Sequence, residues 1–341
     1  MNYEEKQLLQ WWLDKDPITE DEKEQLFKNC PTTIQENLSE YKNICDKYFN
    51  LMPFCNISSE DHIILCEETA TDFINKLFDR YVDDDTLVIT SNNEHDNVKK
   101  RVNTSKNVLI LNYEKDICGL KINKIIQESK KYKKVFVYII GTQISNGKIT
   151  PQKFFNDLKK AFVKNNIQHI ITIDDVHGMF IVPRDYSIFD HIIFTSHALI
   201  LGFDMGLLIS KNDTDIEGLK AYNWLDEYYK SVNVILKRQE KLRMFNNIMT
   251  EYASKYLVYQ DFYLLTNLAS HIFSFALKDK KFDEEIYNIM NKYYIRLDGV
   301  LSQDADKIFL RFRAAQFIRE PEKLIPGLEL LESILAVYDF K

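Results

Sequence analysis

Histidines and carboxylates recur where short apolar runs of this sequence end. Asp174, Asp175 and His177 stand in DDVHG after HIITI, His95 stands in EHDN after TLVITS, and His197 follows HIIFTS. An imidazole with an ordinary pKa is a general base near neutral pH, and two histidines with a carboxylate can also ligate a divalent metal. These residue types therefore allow proton transfer or metal binding, provided that the fold brings them together.

Apolar strand-like runs alternate with amphipathic helix-like segments from about residue 60 onwards. The strand-like runs are DHIILC, TLVITS, NVLILNY, KVFVYII, HIITID, HIIFTS and MGLLIS. This alternation predicts a mostly parallel sheet covered by helices on both faces. Ligands of such sheets bind beyond the carboxyl ends of the strands, so we expect the histidines and acids to converge there.

The remainder of the chain has a different pattern. The first 50 residues form amphipathic, helix-like pieces, and a helical stretch covers about 217–268. SHIFSFAL, IRLDGVL and KIFLRFRAA then predict an antiparallel sheet with helices. We therefore expect an α/β protein, with a three-layer parallel-sheet large domain and a smaller C-terminal α+β domain. The predicted boundaries are a helical segment at 1–55, the large domain at 56–215, connecting helices at 216–268 and the small domain at 269–341.

Composition excludes several classes of function. The 341 residues carry a net charge of −7 without a long basic block, which argues against nucleic-acid binding. Five cysteines without CxxC spacing argue against a disulfide framework. The polar N-terminus does not resemble a signal peptide, and the apolar runs are far shorter than the roughly 20 residues of a membrane span. We expect a soluble, cytoplasmic protein without a membrane partner.

Five motifs occur in an informative order along the chain: EHDN, ISNGKITP, DDVHG, TSHAL and FLRFR. They are similar, respectively, to the elements E-H-x-(S/N), S-N-x-x-G-x-x-x-P, D-(D/E)-A-H-G, T-x-S-K-A-L and I-R-(I/L)-S. Over about residues 60–335 the chain thus resembles the fold type I pyridoxal-phosphate enzymes, including oxoamine synthases, cysteine desulfurases and related aminotransferases. The resemblance implies a type I aminotransferase-like fold and a small amino or keto acid as substrate.

The resemblance also implies roles for individual residues. Asp174 would pair with the pyridine nitrogen of the cofactor, His95 would stack on its ring, and His177 would lie close to that ring. Arg311, with Arg313 as the second choice, would hold a substrate carboxylate. The remaining residues assigned by matching segments are Thr69, Glu68, Thr195 and Ser196 for the cofactor and Asn146 for the substrate.

Two departures from the family pattern concern the cofactor directly. His197 stands where the family has the lysine that forms a Schiff base, and an imidazole cannot form one. The glycine-containing helix start G-(S/T)-T-E-A reads C-E-E-T-A here, so Glu67 and Glu68 add like charge beside a phosphate. Thr69 and the free N–H groups of a helix N-terminus could still donate to that phosphate.

Three functions remain open from the sequence. The first is an enzyme that binds pyridoxal or pyridoxamine phosphate noncovalently and uses His197 as the proton-transfer base. The second is a noncatalytic aminotransferase-fold scaffold or partner subunit. The third is a pocket that binds a divalent metal through His95, His177 and Asp174. Because type I enzymes usually dimerise, we also expect a homodimer. In the alternative of purely structural roles, Asp174 is a helix cap or loop residue and Arg311 lies on the sheet surface.

Overall fold

The computed structural model describes residues 38–50, 55–143, 147–179, 182–195, 206–211 and 216, together with the strand backbones at 262–264, 272–278, 295–298 and 307–313. The chain divides into two compact units. The larger comprises Lys15–Thr142 and Thr150–Asn233; the other comprises Met1–Asp14, Gln143–Ile149 and Val234–Lys341. Predictions for residues 1–37, for the helical stretch at 217–261 and for the helices of the C-terminal domain lie outside the described residues.

A seven-stranded sheet forms the centre of the larger unit. Its strands are β1 (His62–Glu67), β2 (Thr86–Ser91), β3 (Val108–Leu111), β4 (Lys134–Ile140), β5 (Gln168–Asp174), β6 (His191–Thr195) and β7 (Gly206–Lys211). They lie in the order β1-β7-β6-β5-β4-β2-β3. Five adjacent strands of the sheet, β6, β5, β4, β2 and β3, pair in parallel. Strand β7 is antiparallel to both of its neighbours, β6 and β1. All seven strands predicted from the sequence are present, and the α/β fold class is confirmed.

Helices connect these strands and cover the sheet. They are α1 (Leu38–Phe49), α2 (Ala70–Tyr81), α3 (Asp96–Thr104), α4 (Ile122–Ser129) and α5 (Gln152–Lys164). A π-helical turn at Tyr113–Cys118 and a 3-10 turn at Tyr186–Ile188 complete the connections. None of the helices that the structure describes is both long enough and apolar enough to span a membrane.

Helix α2 illustrates how the sequence builds this unit. Its apolar residues Phe73, Ile74, Leu77 and Phe78 recur at intervals of three and four, so they share one face, and all four are buried. On that face, Phe78 meets Phe136 of β4 edge-on at a ring-centroid distance of 5.2 Å. The central strands bury both faces, which explains why their sequences are continuous apolar runs.

A second, four-stranded antiparallel sheet lies in the other unit. Its strands β8 (Phe262–Leu264), β9 (Ile272–Lys278), β10 (Ile295–Asp298) and β11 (Lys307–Arg313) lie in the order β10-β11-β9-β8. The last three match the predicted strands. The helix predicted to continue to residue 268 is wrong at Phe262–Leu264, which pairs with β9. Aromatic residues favour strands once a pairing edge is available, and this tertiary contact overrides a local helical pattern.

Candidate functional site

Four neighbouring strands of the larger sheet end at a common edge. Strands β2, β4, β5 and β6 are parallel and end at Ser91, Ile140, Asp174 and Thr195. In open sheets of this kind, the edge formed by the carboxyl ends is the usual place for a ligand. The segment that carries His95 follows β2. The topology therefore gathers the described candidate residues at one edge of the sheet.

Asp174, the last residue of β5, is a buried carboxyl group with only 5% of its surface exposed. Its Oδ2 accepts a hydrogen bond from the Tyr138 hydroxyl at 3.0 Å, and its Oδ1 accepts from the Val176 N–H at 3.3 Å. Burial raises the pKa of Asp174, while these two hydrogen bonds and the nearby His95 lower it. The side chain thus resides where its charged form needs a cationic partner.

Glu94, which the sequence analysis passed over, is a second buried carboxyl group at this edge. Its Oε1 accepts from the Ser91 hydroxyl at 2.5 Å and from the Ile140 N–H at 3.1 Å, which ties the end of β2 to the end of β4. Burial, with a smaller contribution from the neighbouring Asp174, raises its pKa to about 8, although its hydrogen bonds to Ser91 and Ile140 act in the opposite direction. Glu94 is therefore largely neutral near pH 7 and adds little negative charge beside Asp174. Glu94 could have been found from the sequence, because it is the first residue of the motif EHDN and directly precedes His95.

His95 is the N-cap of α3 and is exposed, as a residue that meets a ligand should be. Its Nδ1 accepts a hydrogen bond from the Asn97 N–H at 3.3 Å. The Asn97 side-chain amide donates to the Thr71 hydroxyl at 2.7 Å and so links the first turn of α3 to the first turn of α2. The electrostatic interaction with His95 lowers the pKa of Asp174.

The first turn of α2 is the element that the sequence analysis assigned to phosphate. Thr69 is its N-cap in a reciprocal capping box with Asp72. Asp72 Oδ2 accepts from both the N–H and the hydroxyl of Thr69, each at 2.9 Å, and Asp72 N–H donates to Thr69 Oγ1 at 3.3 Å. Glu68 is exposed, and Glu67 forms an ion pair with Lys76 of the same helix. The polar groups of Thr69 are consequently engaged within the helix.

The start of β7 approaches the same turn closely. A Cβ atom at Gly206 would lie 2.2 Å from the carbonyl carbon and oxygen of Thr69 and 2.4 Å from the nitrogen of Ala70. No side chain fits at such distances, and the obstructing atoms belong to the backbone. Glycine at 206 therefore permits the strand to pack directly against the N-terminus of α2.

Asp175, beside Asp174, belongs to a buried ion-pair network rather than to the open edge. Arg184 Nε lies 3.1 Å from Asp175 Oδ2, and the Tyr186 hydroxyl donates to the same oxygen at 2.6 Å. Arg184 also donates through Nη1 to the Thr150 carbonyl at 3.0 Å and through Nη2 to the Gly141 carbonyl at 2.6 Å. The network holds the loops after β4 and β5 in place. The sequence motif DDVHG contains Asp175, but no motif indicated Arg184.

The last residue of DDVHG, Gly178, lies where a side chain would not fit. A Cβ atom at this position would lie 2.1 Å from Asp175 Oδ1. The turn is closed by hydrogen bonds from the N–H groups of Gly178 and Met179 to the Asp175 carbonyl at 3.0 and 2.9 Å. His177 is buried in this turn, and Thr195 is buried at the end of β6. The motif thus combines a buried carboxyl group at the end of β5 with a tightly packed structural turn.

Other candidates fall partly or wholly outside the described residues. His197, Ser196 and Asn146 lie outside them. Arg311 and Arg313 lie in the described backbone of β11, opposite Ser274 and Ile272 of β9. Their assigned roles remain predictions.

Metal binding receives no support from the described part of the chain. Within it, no group of three or more histidine, cysteine, aspartate or glutamate side chains is arranged to hold a metal ion. His95, His177 and Asp174 all belong to this part. Metal binding, the third function suggested by the sequence, stays a prediction.

Solved structures with the same architecture cover nearly the whole chain. A NifS-like protein from Rickettsia africae matches with a TM-score of 0.69 and 14% identity, over 98% of this chain and 96% of that one. Serine palmitoyltransferase from Sphingomonas wittichii matches with a TM-score of 0.62 and 11% identity, over 95% and 84%. A structure of SPT with PLP matches with a TM-score of 0.64 and 12% identity, over 94% of this chain and 85% of that one. The chain has the type I pyridoxal-phosphate enzyme fold. No family model and no curated protein matches its sequence.

The two ends of a bound pyridoxal phosphate make different demands, and the residues meet only one of them. A buried carboxyl group at the end of β5 fits a protonated pyridine nitrogen, because that group supplies the missing positive charge. At the N-terminus of α2, however, the Thr69 donors are bonded to Asp72, and the backbone of Gly206 packs so closely that a Cβ atom there would lie 2.4 Å from the Ala70 nitrogen. The described residues thus fit the ring and do not fit the phosphate.

Proposed function

We propose that this protein binds a ring of the pyridoxal or pyridoxamine class noncovalently at the carboxyl edge of its larger sheet. We further propose that it acts on a small amino or keto acid. The observation that carries the proposal is the buried carboxyl group of Asp174 at the end of β5. Such a ring, when bound, supplies an electron-withdrawing pyridinium that acidifies bonds on an attached substrate.

Electrostatics at Asp174 supports this choice of ligand. Burial works against the charged carboxylate, and a protonated ring nitrogen beside it would favour that form through a charge-assisted hydrogen bond. Glu94 contributes little competing negative charge near neutral pH because burial raises its pKa to about 8. The pair therefore offers one anion to one cation. His95, at the start of α3, is the residue that we propose to cover the ring.

His197 is the residue that we propose for proton transfer. By the resemblance of TSHAL to T-x-S-K-A-L, it stands where that motif has a lysine, and its imidazole cannot hold the ligand covalently. An imidazole does accept and release protons near neutral pH. Arg311 is the proposed partner of a substrate carboxylate, and a homodimer is the proposed assembly.

Ligand binding by an Asp174 variant tests the proposal. Pyridoxamine is titrated into the purified full chain, with calorimetry and thermal unfolding as readouts. Asp174→Asn should weaken binding by at least about tenfold, because the charge that pairs with the ring nitrogen is lost. Asp79→Asn, which removes one carboxylate from an exposed pair with Arg101 on the same unit, should bind as the wild type does. Equal binding by the Asp174 and Asp79 variants would contradict the assignment.

Restoring the lysine provides an independent readout. His197→Lys mixed with pyridoxal should yield a yellow adduct that borohydride traps at residue 197, since a primary amine can condense with the aldehyde. Peptide mapping distinguishes this site from surface lysines, and wild-type protein is the control. Labelling confined to surface lysines would show that residue 197 does not face the ring.

A noncatalytic scaffold or partner subunit is the second candidate function. The observation that favours it is the closed N-terminus of α2, where Asp72 holds both donors of Thr69. This candidate predicts no thermal stabilisation by pyridoxamine, pyridoxal or their phosphates. Stabilisation that depends on Asp174 would exclude it.

A further inference from the structure

We infer that this pocket selects unphosphorylated pyridoxal or pyridoxamine over the phosphate esters, because Asp72 is a built-in anion at the helix terminus where a phosphate would lie. The inference rests on the proposed function, since it concerns the other end of the same ligand. It is carried by hydrogen bonds, close packing and charge around the first turn of α2.

The hydrogen bonds leave Thr69 without a donor for an external anion. Its N–H and its hydroxyl both donate to Asp72 Oδ2 at 2.9 Å. Asp72 N–H in turn donates to the Thr69 hydroxyl oxygen at 3.3 Å and to the Thr69 carbonyl at 3.2 Å. The carboxylate therefore already makes the contacts by which a helix N-terminus binds phosphate.

Close packing restricts the approach to the next N–H group. The backbone of Gly206 lies so near that a Cβ atom there would be 2.4 Å from the Ala70 nitrogen. The Thr71 hydroxyl accepts a hydrogen bond from Asn97, which holds the first turn of α3 against this turn. A phosphate that bound to the Thr69 donors would therefore have to displace the Asp72 carboxylate.

Charge acts in the same direction. Three carboxylates, on Glu67, Glu68 and Asp72, lie within six consecutive residues. Lys76 is the cation that follows on α2, and it is paired with Glu67. A phosphate ester near pH 7 carries a charge between −1 and −2, so its approach is repelled more strongly than that of a neutral hydroxymethyl group. The ligand class that meets no such penalty has the same ring without the phosphate.

Pyridoxamine and pyridoxamine phosphate form a matched pair of probes, because neither carries an aldehyde that reacts with surface lysines. Each is titrated calorimetrically into the full chain. We expect the wild type to bind pyridoxamine at least as tightly as the phosphate ester. Asp72→Ala and Asp72→Asn should each improve binding of the ester by about tenfold and change binding of pyridoxamine by less than about threefold, since only the ester reaches the freed donors.

Asp79→Asn is the matched control, because it removes one carboxylate from the same helix away from its N-terminus. It should leave the ratio of the two affinities unchanged. Wild-type protein that binds the ester at least tenfold more tightly than pyridoxamine would overturn the inference while leaving ring binding intact. Equal gains for both ligands in the Asp72 variants would overturn it as well. If neither probe binds to any variant, the proposed function fails and the inference falls with it.

Discussion

Asp174 and Asp175 are neighbours in the sequence with opposite surroundings. Asp174 accepts hydrogen bonds from a tyrosine hydroxyl and a backbone N–H, and burial raises its pKa. Asp175 faces a buried guanidinium, that of Arg184, and accepts from the hydroxyl of Tyr186. Successive residues at a strand end point in different directions, so one carboxylate can serve a ligand while the next stabilises the loops. Mutating the two aspartates should therefore produce different defects.

Arg184→Met should reduce the free energy of unfolding by about 3–5 kcal/mol, because it leaves the buried Asp175 carboxylate without its cation. The measurement is urea denaturation followed by circular dichroism. Lys153→Met is the matched control, since its ion pair with Asp157 on α5 is exposed and should contribute within about 0.5 kcal/mol. A loss below about 1 kcal/mol for Arg184→Met would show that the network does not stabilise the fold.

Helix α2 acts as a unit through its first turn. The capping box satisfies its terminal N–H groups, the buried face packs on β4 and β7, and β7 begins against the same turn. These contacts join a local sequence signal, Thr69 with Asp72, to a strand more than 130 residues later in the sequence. The spacing of Thr69 and Asp72 can be recognised in the sequence as a capping box, whereas the contact with Gly206 is apparent only in the fold.

Gly206→Ala should destabilise the protein by about 1–3 kcal/mol, because the added methyl group meets backbone atoms of Thr69 and Ala70 that no rotamer change can move. Thermal and urea unfolding measure the loss. Thr69→Ala alone should cost about 1 kcal/mol through the lost cap. Since the obstruction is backbone, the double variant should lose at least the sum of both. Rescue of Gly206→Ala by Thr69→Ala would show that the Thr69 side chain caused the clash.

The molecule as a whole carries buried titratable groups at both ends of its larger sheet. At the amino end of β6, His191 is fully buried between the Ser210 hydroxyl and the Tyr81 hydroxyl, each at 3.0 Å. Burial, opposed by Asp190 and assisted by Lys211 and His62, lowers its pKa to about 3. Burial also lowers the pKa of His62. These histidines stay neutral in the fold and bind protons when the chain unfolds.

Acidification should therefore weaken the fold through His191. Its folded pKa lies below that of the unfolded chain, so its contribution is present above about pH 6.5 and is lost as the pH falls towards 3. Between pH 7 and pH 5 the loss is about 2 kcal/mol. His191→Gln should remove this part of the pH dependence, measured as the difference in unfolding free energy at the two pH values.

Glu94→Gln is the counterpart with the opposite sign. The folded pKa of Glu94 is raised to about 8, so its contribution is present below about pH 4.5 and is lost as the pH rises towards 8. Its replacement should make the protein lose more stability between pH 7 and pH 5 than the wild type loses. Parallel pH profiles for wild type and both variants would show that neither group is titrated as the structure indicates.

The sequence predicted the architecture better than the details of the site. Seven strands and their helices followed from periodicity, because fully buried parallel strands are unmistakable apolar runs. Asp174 and His95 were predicted as candidate site residues because each stands where a strand-like run ends. Arg184 and Gly206 could not be predicted, since each acts through a partner that is distant in the sequence or through backbone proximity. Phe262–Leu264 was assigned to helix because its strand partner is also non-local.

The position of β1 in the sheet sets an order of assembly. Among the described strands, His62–Glu67 pairs only with β7, although it precedes that strand by about 140 residues. During synthesis, strands β2 to β6 can pair as they emerge, while β1 must wait for Gly206–Lys211 to leave the ribosome. The turn that follows β1 receives its glycine neighbour at the same moment. The edge of the sheet that carries the N-terminus of α2 is consequently completed late in translation, after most of the supporting sheet has formed.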